Sequence, residues 1–125
     1  MAVTSVEQYF DRGVLTTEHP PVIDFVPLAT TSKDLKAGTV LVSGDNGYEP
    51  CAEKGTPGAV LLEDVAAHED ETVQAAVCVH GVVVRSRLLD YSGDEEADAS
   101  DTLTAKLPAI GIYLAQSGWT ESNFN

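Results

Sequence analysis

The stretch Gly55–Val84, GTPGAVLLEDVAAHEDETVQAAVCVHGVVV, sets two apolar runs on either side of an acidic knot. The first run, Ala59–Val65, has the length and branching of a buried strand. The second continues through "QAAVCVHGVVVRSRLL" and reads as a longer strand over Gln74–Leu89, broken at Gly81. An isolated glycine inside such a run marks a bulge, a bend or a close backbone approach. With apolar strands on both sides, "AAHEDET" reads as a solvated turn. Upstream, Lys36–Val42 is a short β-rich run, Asn46-Gly47 is a tight-turn signal, and "YEPCAEK" supplies the return of a hairpin. Downstream of Asp90, the pattern predicts an acidic loop, a short helix over Ala97–Leu107 ended by Pro108, and a last strand over Ile110–Leu114. Asp98, Ser100 and Asp101 suit the start of that helix, where the dipole favours acids. The fold class expected is mainly β (α+β), a compact β-rich domain with one short helix.

The front of the chain reads differently. Residues 1–31 hold Pro20, Pro21 and Pro27 within a short span, and proline neither continues a helix nor donates to a central strand. "SVEQYF" could begin a short helix, with Ser5 and Gln8 at capping-box spacing. The rest of the segment is expected to be extended, and between its prolines Val22, Ile23, Phe25, Val26 and Leu28 are all apolar around Asp24. It suits either an edge strand tucked against its own domain or an arm whose side chains serve another protein's sheet edge. The sharper expectation is the arm, giving an extended segment 1–31 and a β-rich domain 32–125.

Composition narrows the partners. The 125 residues fit one domain large enough to bury a core without disulfides or metal. Twenty Asp and Glu against seven Lys and Arg give a net charge of −13, which disfavours nucleic acid and anionic membranes as partners. No apolar run approaches the ~20 residues of a membrane-spanning helix. The opening "MAVTSVEQYFDRG" lacks the basic end and apolar centre of a signal peptide, so synthesis in a cytoplasm is expected. Cys51 and Cys78 have neither CxxC nor zinc-ligand spacing and are expected to be separate reduced thiols.

No reaction class finds its residues. The series Asp90, Ser92, Asp94, Glu96, Asp98, Asp101 alternates oxygen ligands, but Glu95 stands where a calcium loop needs glycine. Glu63, Asp64, His68, Glu69, Asp70 and Glu71 could be drawn as a metal site, yet consecutive acids project in different directions. Cys78 and His80, two apart on one strand, would share a face about 7 Å apart, too far for a base to reach a thiol. The glycines of "GDNGYEP" and "EKGTPG" lack a phosphate-loop lysine. No catalytic residue, metal or cofactor is expected, and the chain is not expected to be an enzyme.

The order "AGTVL", "NGYEP", "GAVLLEDV", an acidic turn, "VCVHGVVVRSRL" and a closing "LPAIGIYL" resembles the lambda-type bacteriophage head decoration proteins, also called cement proteins. The resemblance covers roughly Lys36 to Leu114. It implies a homotrimer, mostly β, on three-fold and quasi-three-fold positions of the outer surface of an expanded head, clamping neighbouring major capsid protein subunits. On that reading the arm residues Val22, Ile23, Asp24, Phe25, Val26 and Leu28 would add to a capsid strand. The alternative is a β-rich carbohydrate-binding or adhesion module exposed on a virion, although one Trp is a thin supply of stacking surface.

Overall fold

A computed structural model describes residues 21–92 and 95–115 of the chain. Among these residues eight strands form: β1 (Val22–Leu28), β2 (Val40–Gly44), β3 (Gly47–Pro50), β4 (Ala59–Leu61), β5 (Val73–Val84), β6 (Leu89–Ser92), β7 (Glu95–Asp98) and β8 (Ile112–Ala115). One short helix, α1 (Asp101–Thr104), and two 3-10 turns, Arg85–Arg87 and Leu107–Ile110, complete the list. The β-rich expectation holds at this level.

The hairpin expected at Asn46-Gly47 joins β2 to β3, with Gly44 opposite Gly47 and Asp45-Asn46 between them. Gly47 carries φ 128° and lies so close to the end of β1 that a Cβ would sit 2.9 Å from the Pro27 carbonyl oxygen. No other residue type meets both conditions. The five strands then close on themselves: β2 pairs with β3 and β4, β4 with β5, β5 with β1, and β1 meets β3 at Leu28–Tyr48. β8 runs parallel to the second half of β5, while β6 and β7 form a separate hairpin.

Strand alternation feeds two cores. Val40, Val60, Leu62, Ala76, Cys78 and Val83 pack on one side with Leu103, Leu107 and Ile112 from the C-terminal part of the chain. Val26, Leu28, Leu41, Leu61, Ala75 and Val77 pack on the other with Leu35 and Tyr91. Burial on both sides is why Ala75–Cys78 reads as an unbroken apolar run.

Five boundaries differ from expectation, two of them by short shifts: β2 is Val40–Gly44 rather than Lys36–Val42, and β8 is Ile112–Ala115 rather than Ile110–Leu114. β4 stops at Leu61 rather than Val65, because the chain turns where Glu63 and Asp64 give their carboxylates to main-chain N–H groups. β5 ends at Val84, not Leu89, and Arg85–Arg87 winds into a 3-10 turn. The helix expected over Ala97–Leu107 is only Asp101–Thr104, since Ala97 and Asp98 belong to β7, paired back on Leu89 and Asp90. Ser100 is its N-cap, accepting from the Leu103 N–H at 3.1 Å. Pro108 falls inside the following 3-10 turn, near its start, where a missing N–H costs nothing.

Candidate functional site

β1 carries the residues singled out in the sequence. The body of the protein takes this segment in: Ile23 pairs with Cys78, Phe25 with Ala76, Val26 with Ala75 and Leu28 with Val73, all antiparallel. Val26 is 7% exposed and Leu28 fully buried, both in the core. The expected boundary at residue 31 therefore does not separate an arm from a domain within the described residues. Strand and core continue from Val22 onward, as in the tucked-strand reading. Residues 1–20, including the possible "SVEQYF" helix, lie outside the described residues.

Two of the six candidate residues present apolar surface: Phe25 is 59% and Val22 52% exposed. Asp24 is also exposed, and Ile23 packs partly against the core. The outer edge of β1 is poorly suited to receiving another strand. Ala29 donates to the Tyr48 carbonyl on the side away from β5, so alternation points the main-chain groups of Ile23, Phe25 and Pro27 to that same side. Pro27 has no N–H to offer, and the Phe25 N–H is taken at 2.8 Å by its neighbour's carboxylate, Asp24 Oδ1. A proline and an inwardly bonded acid blunt an edge against strand addition.

A second exposed aromatic lies across the sheet. Tyr113 on β8 is 47% exposed and meets the His80 ring edge-to-face at 6.4 Å. His80 is paired with Val22, so these three side chains follow one another over β1, β5 and β8. Sequence reasoning missed Tyr113; its only signal is an outward position between Ile112 and Leu114, both of which pack inward.

The register between β1 and β5 slips between Val22 and Ile23. The slip puts His80 on the opposite face from Cys78, so the two do not share a face as plain alternation predicts. Gly81, at φ 151°, follows directly, and a Cβ there would meet Pro21 at 3.2 Å. The Cys78 thiol points to the His80 carbonyl oxygen at 3.4 Å, and burial pushes it up to about 11, the reverse of an activated nucleophile. Cys51 is likewise buried and raised, and both thiols are free.

The acidic knot is a set of ties between two loops. Asp64 Oδ1 accepts from the Ala37 N–H and Asp34 Oδ1 from the Ala67 N–H, each at 2.9 Å. Leu35 and Val65 exchange both main-chain bonds between them at 2.8 Å. Glu63 Oε2 accepts from the Ala76 N–H at 2.7 Å, while Glu69, Asp70 and Glu71 are exposed. Among the described residues, no group of three or more His, Cys, Asp or Glu side chains is placed to hold a metal ion. Of the series once drawn as a calcium loop, Asp90 is buried, Glu96 pairs with Lys36 at 3.3 Å, and Asp101 pairs with Arg85 at 2.8 Å.

No family model, curated protein or solved structure matches this chain.

Proposed function

We propose that this chain is a bacteriophage head decoration protein, a homotrimer that docks on the outer surface of an expanded head at three-fold and quasi-three-fold positions and holds neighbouring major capsid protein subunits together. Its role is structural rather than enzymatic. The observation that carries this reading is the ordered set of segments between Lys36 and Leu114, each of which includes part of a strand of a β-rich body. Docking is assigned to the exposed Phe25 on β1, in place of strand addition by residues already paired to β5, while Val22, three positions away, points to the opposite face beside His80.

Energetics favour many weak contacts. Fully burying a Phe side chain contributes ~1.5–3 kcal/mol, and Phe25 is already partly covered. One copy would bind weakly, whereas three copies in a trimer act at high effective concentration. The test is co-sedimentation with expanded, undecorated heads, comparing the natural chain with Phe25→Asp. The variant should stay folded and lose most binding at matched concentration. Equal binding would place the docking surface elsewhere, and failure of the natural chain to bind any expanded head would remove the decoration reading.

A further inference from the structure

The loop that carries the acidic knot also carries His68, whose ring reaches two main-chain carbonyls at once. Nδ1 lies 2.9 Å from the Ala66 oxygen and Nε2 lies 2.9 Å from the Ala29 oxygen. A carbonyl oxygen only accepts, so each contact is a hydrogen bond only if that ring nitrogen carries hydrogen. Neutral imidazole has one N–H and imidazolium has two. The same residue exchanges main-chain bonds with Thr31, Thr31 N–H to His68 oxygen at 2.9 Å and His68 N–H to Thr31 oxygen at 3.0 Å. The side chain and the backbone therefore fasten the same pair of segments, the chain leaving β1 and the loop between β4 and β5.

We propose that His68 is a proton-dependent clasp at the end of β1, closed when the ring carries both protons and Nε2 donates to Ala29, and opened when the neutral ring keeps its one hydrogen on Nδ1 toward Ala66. In the neutral ring, one of the two contacts becomes lone pair against lone pair. The Ala66 contact, inside the loop, keeps the hydrogen on Nδ1 and the Ala29 tie between the segments opens. The charged groups on the segments that meet there are Glu63, Asp64, Glu69, Asp70 and Glu71 on the loop, Lys33 and Asp34 after Thr31, and Glu49 next to Tyr48 on β3. Histidine is the side chain whose ordinary charge change falls between pH 5 and 8. The neighbouring Leu35–Val65 bridge holds the same two segments without a histidine, which provides an internal reference.

The sign follows from the bond count. The cross-segment bond is present when both nitrogens carry hydrogen and is lost when Nε2 has given up its proton. Amide hydrogen exchange on the full chain reads it directly. After correction for intrinsic exchange rates, the Thr31 amide should be protected ~2- to 10-fold more at pH 5.5 than at pH 8, the range one net hydrogen bond supplies, while the Leu35 and Val65 amides stay level. His68→Gln should remove the pH dependence at Thr31. A Thr31 protection ratio that tracks Leu35 and Val65, or that survives in His68→Gln, would overturn the clasp. Should His68→Gln fail to fold, nitrogen-15 imidazole spectra of the natural chain decide. Two protected ring N–H signals at pH 5.5 for His68 support the clasp, and rapid exchange of both contradicts it.

Discussion

At the scale of single residues, acidic side chains here serve the backbone. Asp34, Asp64 and Glu63 each accept a main-chain N–H from another segment. Removing the acceptor leaves a donor without its partner, so Asp64→Ala should cost ~0.5–1.5 kcal/mol in urea unfolding. Asp64→Asn, which keeps an oxygen in place, should cost less; equal losses would mean that charge, not the hydrogen bond, is what counts. The buried Cys78 thiol makes an alkaline prediction. Its titration is moved from 9.0 to about 11, so the unfolded chain releases that proton first as pH rises. Stability from this group is intact below about pH 9 and is lost progressively toward pH 11, by ~1.4 kcal/mol per pH unit at most. Cys78→Ala should be less stable near pH 7 because of its cavity. The gap between it and the natural chain should narrow between pH 9 and 11, and a constant gap would contradict the assignment.

At the scale of elements, β1 decides how the front of the chain behaves. Val26 and Leu28 fill the core from this strand, so Leu28→Ala should cost ~2–5 kcal/mol. Deleting residues 1–31 should abolish cooperative unfolding, whereas Phe25→Asp should leave the melting temperature within a few degrees. A truncated chain that melts cooperatively would show that β1 is dispensable. The sheet was legible because period and composition agree there: β5 is apolar on both faces, and Gly44 to Gly47 form a hairpin with polar residues at its tip. The helix was over-read because the alanines and acids of 95–101 suit either state, and pairing of Glu95–Asp98 with β6 wins over helix propensity. The proline-rich segment misled in another way. Pro27 is nonetheless accommodated in β1, because its main-chain groups point away from β5, to the side that meets β3 only at Leu28–Tyr48 and asks for no N–H from residue 27. The sequence marked Phe25 and Val22 as apolar but did not show which of six candidates face outward. That depends on the register with β5, and a register slip beside His80 is invisible to simple alternation.

At the scale of the whole molecule, charge bears on the proposed trimer and its docking on a shell. The proposed trimer should scatter light as about three times 13.2 kDa, and a strict monomer at high concentration would count against it. Such a trimer carries −39 formal charges, three times the −13 of one chain, so if the shell's outer surface is also acidic, docking must come from short-range apolar contacts. Raising salt shortens the screening length from ~30 Å at 0.01 M to ~8 Å at 0.15 M. Head affinity should then hold or rise over that range, and a steep fall would point to docking through Arg85, Arg87 or the lysines. Bound trimers should also raise the temperature at which heads rupture, since a ligand that prefers the intact state stabilises it by mass action. The most direct measurement is electron cryomicroscopy of expanded, undecorated heads mixed with saturating purified protein. The account predicts added density on the outer surface at three-fold and quasi-three-fold positions, with β1 turned toward the shell; bare three-fold positions at saturation would contradict it.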